Sequence, residues 1–145
     1  MTIKQMHHVG LVVDDLGAAT AFFEALGFER EGDAQVGGEW VDRIIGLHDV
    51  QASMVMLQTP DGHHRLEISS FATPANRGDD RDAPANTRGI RHLAFLVDDL
   101  DAALERAQAR GATLVGEVVR YQDVYRVCYV RGPEGVLVEL AEELG

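Results

Sequence analysis

Two histidines and two glutamates are the residues of this chain whose types and spacing point to chemistry. His8 and His92 each stand at the opening of a short apolar run, His7 to Val13 and Arg91 to Val97. Glu67 and Glu139 each interrupt a second apolar run, Leu66–Glu67–Ile68 and Val138–Glu139–Leu140. A carboxylate inside an apolar strand is costly unless something compensates its charge. The same cost met twice, each time in a segment with a matching histidine, suggests a common compensating partner. A divalent cation held by two imidazoles and two carboxylates is one such partner, and that donor set suits Zn, Ni, Co, Mn or Fe. Ordinary hydrogen bonds to backbone or arginine are the alternative at each position.

The pairing of these residues follows from an internal repeat. Shifted by 84 residues, His8 falls on His92, Val13 on Val97, and Asp14–Asp15–Leu16 on Asp98–Asp99–Leu100. Ala18, Ala19, Ala25 and Gly27 fall on Ala102, Ala103, Ala109 and Gly111, completing nine identities over positions 8–29. Average residue frequencies would give about one or two. Pro60–Asp61–Gly62 before Leu66–Glu67–Ile68 likewise resembles Pro133–Glu134–Gly135 before Val138–Glu139–Leu140, at an offset of 72 or 73.

Each copy reads as β-α-β-β-β. The opening apolar runs are short and rich in Val, Leu and Phe, as expected of strands buried on both faces. The aspartate pairs sit where an N-cap is needed. Leu16 to Leu26 and Leu100 to Arg110 carry helical apolar stripes, closed by Gly27 and Gly111. Further strands are expected at Phe28–Val36, Ser53–Gln58 and Arg65–Phe71, and at Thr113–Val119, Val124–Val130 and Val136–Ala141. Trp40 to Ile45 reads as a short helical turn. The organisation expected is module one over 1–71, a connector over 72–89 and module two over 90–145.

With those residues in view, the chain resembles the vicinal oxygen chelate superfamily, the glyoxalase, bleomycin-resistance and dioxygenase group. The resemblance rests on His8–Val9–Gly10–Leu11–Val12–Val13–Asp14–Asp15–Leu16, on His92 to Leu100, and on Gly132–Pro133–Glu134–Gly135–Val136–Leu137–Val138–Glu139–Leu140. It covers nearly the whole chain. It implies a single α+β domain over 1–145 in which two tandem modules form an open, cup-shaped mixed sheet with the helices outside. It implies one metal ion per site, with His8, Glu67, His92 and Glu139 at the ligand positions, and a homodimer. The texture is closest to glyoxalase I and methylmalonyl-CoA epimerase. The implied reaction is abstraction of a proton next to a metal-bound carbonyl, through an enolate or enediolate, with Glu139 or Glu67 as ligand and proton shuttle. The implied substrate is a small molecule with adjacent oxygens or an activated carbonyl. Epimerases commonly carry glutamine where Glu67 stands, so the substrate is not fixed by the resemblance. Two alternatives are an Fe(II) oxygenase of ring-cleaving type and a non-catalytic antibiotic-binding resistance protein. Glu67 weighs against the first, because a fourth protein ligand fills a position oxygen would need. Tyr129, ahead of Pro133, weighs for it.

The remaining residues narrow the field. Net charge is −11 over 145 residues, which argues against nucleic acid or an anionic membrane as partner. One cysteine, Cys128, permits no internal disulfide, and cytoplasm is the default compartment. No serine lies in a nucleophile elbow and no glycine-rich phosphate loop appears. His7 is expected on the face opposite His8, and Arg65, Arg88, Arg91 and Arg126 are expected in surface salt bridges. Trp40, Met54, Met56, Phe71, Tyr121 and Tyr125 are expected pocket walls.

Overall fold

A computed structural model describes residues 2–145. In chain order the elements are β1 (Val9–Val12), α1 (Leu16–Leu26), β2 (Glu29–Gly37), α2 (Glu39–Ile45), β3 (Gln51–Gln58) and β4 (Arg65–Thr73). They continue with β5 (His92–Leu96), α3 (Leu100–Ala109), β6 (Thr113–Leu114), β7 (Val119–Tyr121), β8 (Tyr125–Arg131) and β9 (Leu137–Glu143). The chain divides into two compact units, one ending at Gly78 and the other spanning Asp79–Gly145. Each is mixed α+β, built on its own sheet.

In the first unit the strand order is β1-β4-β3-β2, with β1 parallel to β4 and the rest antiparallel. The second repeats the plan as β5-β9-β8-β6, with β7 also on β8. The strand expected over Thr113–Val119 is thus split, Thr113–Leu114 and Val119–Tyr121, around an irregular stretch holding Gly116.

Both helices start as the aspartates dictate. Asp15 Oδ1 accepts from the Ala18 amide at 2.9 Å, and Asp99 Oδ1 accepts from the Ala102 amide at 3.0 Å. Each cap contributes about 1 kcal/mol. Gly27, at φ 119°, and Gly111, at φ 91°, take the left-handed turn that ends each helix.

The helix of each unit packs on one face of its sheet. In module one Phe22, Phe23, Leu57 and Ile68 are fully buried there. Module two fills the equivalent space with Leu100, Val130, Val138 and Leu140. A second small cluster in module one, Val41 of α2 with Val50 and Ala52, packs against Val36 and Phe71. Phe71, expected as a pocket wall, is thus partly buried against this cluster.

The opening strands are not buried on both faces, contrary to the sequence expectation. Their residues alternate, and Val12 is 58% and Leu96 66% exposed. The helix covers one face of each strand, and the other is the face that carries the glutamates.

The connector is tied down from both sides. Asn76 accepts from the Phe71 amide and donates to the Val13 carbonyl and Asp14 Oδ1, at 2.9, 3.0 and 2.9 Å. Beyond Gly78, Arg131 donates to the Arg81 and Ala83 carbonyls, and Arg91 to those of Ala83 and Pro84. Gly135, at φ 88°, lies so close to the Arg81 backbone that a Cβ there would collide with it.

Candidate metal and substrate site

Residues paired across a parallel ladder point to the same face of the sheet. In module one Gly10 of β1 is paired with Glu67 of β4, and His8 lies two residues ahead of Gly10. In module two Ala94 of β5 is paired with Glu139 of β9, and His92 lies two residues ahead of Ala94. Each glutamate therefore faces the smallest side chain on its neighbouring strand, and each imidazole has room to reach across. A Cβ at Gly10 would meet nothing within 4 Å.

The result is the same pair twice. His8 Nε2 lies 3.5 Å from Glu67 Oε2, and His92 Nε2 lies 3.5 Å from Glu139 Oε1. All four side chains are about a quarter to two-fifths exposed, so a small solute can reach them. The separation is longer than a good N–H···O bond, about 2.9–3.0 Å. It suits two ligands of one ion: donors each about 2.1 Å from a tetrahedral metal stand about 3.4 Å apart. The donors, an imidazole nitrogen and a carboxylate oxygen, are those borderline divalent metals take. On distance and chemistry each pair fits half a ligand set. Among the described residues no group of three or more His, Cys, Asp or Glu side chains is close enough to hold a metal ion. The four residues are thus brought together two by two, within modules.

The surroundings of the pairs differ. His8 Nδ1 shares a hydrogen bond of 2.7 Å with His7 Nδ1. His7 precedes β1, so strand alternation does not carry it to the opposite face. Such a bond at one ring nitrogen sets which tautomer the other presents. In module two Tyr129 of β8 is paired with Glu139. Its hydroxyl lies 3.2 Å from His92 Nε2. Partial burial, then the neighbouring Glu139 carboxylate, hold the Tyr129 phenol above its ordinary pKa. The phenol therefore stays protonated and able to donate. At the matching place in module one, Met56 is paired with Glu67.

Module two also contains a recess of about 280 Å³, lined by Ala94, Leu96, Tyr121, Tyr125, Val127 and Glu139, with Phe95 and Ala141. Two expected wall residues, Tyr121 and Tyr125, line it. Trp40 is 62% exposed, and Met54 and Met56 lie half-buried beside Ser69 and Glu67 in module one.

Tyr129 is the neighbour that sequence reasoning did not connect to the pair. The second repeat offset held the signal: 73 residues separate Met56 from Tyr129, so the repeat itself aligns a thioether with a phenol beside the glutamate. Two arginines behave as expected, Arg65 pairing with Glu31 at 2.7 Å and Arg126 with Asp101 at 2.8 Å. Arg91 departs from expectation by bonding backbone carbonyls of the connector. Cys128 is 2% exposed, and burial raises its thiol pKa. No helix among the described residues is long and apolar enough to cross a membrane.

The comparisons show the family. The family model for the Glyoxalase/Bleomycin resistance protein/Dioxygenase superfamily matches residues 5–140. A crystal structure of a glyoxalase family protein from Bacillus cereus is 46% identical, with a TM-score of 0.96 over 100% of this chain and 97% of that one. The uncharacterized protein YaeR of Escherichia coli K12 is 28% identical, over 97% of this chain and 98% of its own length. The uncharacterized protein YwkD of Bacillus subtilis 168 is 30% identical, over 77% of this chain and 75% of its own. Two β-α-β-β-β modules, matched by the family model from before His8 to just past Glu139, make this chain a member of the glyoxalase/bleomycin resistance protein/dioxygenase superfamily.

Proposed function

We propose that the protein is a metal-dependent enzyme that moves a proton on a carbon next to a carbonyl, as an isomerase, epimerase or lyase. The observation that carries this reading is the pair of His–Glu contacts, 3.5 Å in both modules and built on the same register. His8, Glu67, His92 and Glu139 would hold a divalent ion of Zn, Ni, Co, Mn or Fe type. A homodimer holds two copies of each pair, enough for two such sites. When bound, the ion supplies Lewis-acid polarisation of a substrate carbonyl or of neighbouring oxygens.

The protein's own groups do the rest. A carboxylate oxygen of Glu139 or Glu67 accepts the proton from the carbon beside the carbonyl and returns it to the same or a neighbouring atom. The Tyr129 hydroxyl, on the residue paired with Glu139, lies 3.2 Å from His92 Nε2 and so positions the imidazole beside that carboxylate. The imidazoles of His8 and His92 hold their glutamates from the side. The substrate is a small molecule with adjacent oxygens or an activated carbonyl. A free, buried cysteine and net negative charge fit a cytoplasmic enzyme acting on small molecules.

The test has two parts. Metal analysis of the purified protein should find one equivalent of ion per chain, lost when His8 or His92 is replaced. Incubation with α-hydroxycarbonyl and thioester substrates in deuterium oxide should then place deuterium beside the carbonyl. Oxygen uptake with catechols and no deuterium exchange would move the assignment to the oxygenases. Tight binding of a cationic antibiotic by metal-free protein, with no turnover, would move it to the resistance proteins.

A further inference from the structure

We propose that the recess of module two receives an uncharged apolar group of the substrate, aromatic or branched aliphatic, attached beside the reacting carbonyl. The inference rests on the proposed use of Glu139 and adds the class of substrate. Its wall is made by Leu96 of β5, Tyr121 of β7, and Tyr125 and Val127 of β8, with Ala94 and Ala141 between them. Glu139 is the single ionisable acid or base in the lining other than the two tyrosines.

Register explains why these side chains converge. Leu96 is paired with Ala141, Ala141 with Val127, and Tyr121 with Tyr125. All lie on the glutamate's face of the sheet, one or two pairs along from it. Small residues at 94 and 141 form a floor between the larger walls. Leu96 and Tyr121 remain 66% and 56% exposed, so apolar surface is available to a ligand.

Charge decides the class of group. The nearby arginines are engaged elsewhere: Arg126 with Asp101 and Glu142, Arg120 with Asp123. No lysine or arginine lines the recess. An anionic substituent would lose water there, gain no cation, and face Glu139 in a protein of net charge −11. An uncharged apolar substituent incurs neither cost and covers the exposed wall. At about 280 Å³ the space has room for a group of benzyl or isobutyl size.

The experiment uses hydroxamates, which present two adjacent oxygens, on the full-length metal-loaded protein. Acetohydroxamate, benzohydroxamate, 4-carboxybenzohydroxamate and 4-(aminomethyl)benzohydroxamate are compared by calorimetry. Benzohydroxamate should bind at least about tenfold more tightly than acetohydroxamate, the effect of burying one ring face. The carboxylated compound should lose that gain. Leu96→Asp and Tyr121→Ser should each reduce the phenyl-to-methyl ratio several-fold, and shifts of the Tyr121 and Tyr125 ring signals on titration should report the contact directly. Equal affinities for the acetyl and benzoyl compounds would overturn the recess assignment while leaving the metal reading intact. Preference for the aminomethyl compound over benzohydroxamate would overturn the uncharged class. Failure of all four to bind, together with absence of metal, would remove the functional reading on which the inference rests.

Discussion

The two modules place a histidine and a glutamate in the same register at the same distance, yet fill in around them differently. Beside Glu67 stands Met56, and beside Glu139 stands Tyr129, whose hydroxyl lies 3.2 Å from His92 Nε2. The helices differ as well. Phe22 and Phe23 of α1 occupy the repeat positions of Arg106 and Ala107 in α3. Module one takes its bulk from its helix, whereas module two takes more from its strands, through Val130, Leu137, Val138 and Leu140. The lesson is that the pair was held constant while its neighbours diverged. Module two was left with a hydroxyl at its carboxylate and an apolar recess beside it, both suited to holding one end of a substrate.

The strongest way to break this comparison is to neutralise each glutamate in turn. Glu139→Gln and Glu67→Gln should both weaken metal binding. The one that serves as base should also lower deuterium exchange into substrate by about 10²–10⁴-fold. Equal losses in the two variants would mean that the differing neighbours leave no functional asymmetry.

Stability offers the next largest contrast. Phe22 is fully buried, so Phe22→Ala should cost about 3–5 kcal/mol, read by denaturant unfolding. Arg106→Ala, at the repeat-equivalent position in α3, should leave the midpoint nearly unchanged.

Tyr129 gives a smaller and more selective effect. Tyr129→Phe removes the hydroxyl and keeps the ring, and should weaken metal affinity by about tenfold, the lower range for a group that orients a ligand. Met56→Leu, its counterpart, should have no such effect. A competition assay with a chromogenic chelator measures both.

The smallest expected effect concerns pH. The hydrogen bond and charge of Arg126 hold the Asp101 carboxyl below its ordinary value. The folded protein therefore favours the ionised form. The resulting stabilisation is complete above the unfolded carboxyl pKa, about 3.9, and is lost as pH falls through the lower folded value. Because the pair is exposed, the contribution is small. Asp101→Asn should melt slightly lower than the parent at pH 7, and the two should converge once the pH lies below the folded carboxyl's lowered value.

The repeat makes much of the fold and of the candidate site legible in the amino-acid sequence. Helix starts at Asp15 and Asp99 are readable because an aspartate side chain caps its own neighbouring amides. The His–Glu correspondence is readable because duplication preserves types at matching places. Other features are not. The split of the strand after Thr113 depends on where its backbone leaves β8. The exposure of Val12 and Leu96 depends on which face the helix covers. His7 meets His8 because the strand begins only at Val9, a boundary that hydrophobic alternation does not mark.

By itself, then, the amino-acid sequence determined the elements, their duplication and the four residues worth testing, because caps, periodicity and residue type act over a few neighbours. Tertiary structure alone decided that Gly10 and Ala94 stand opposite the glutamates, that the imidazole–carboxylate distance is 3.5 Å in both modules, and that Tyr129 stands beside Glu139 with its hydroxyl on His92. Those facts follow from strand register, between β1 and β4 in one module and among β5, β8 and β9 in the other. Register is set by how whole sheets and helices pack, which no local pattern encodes.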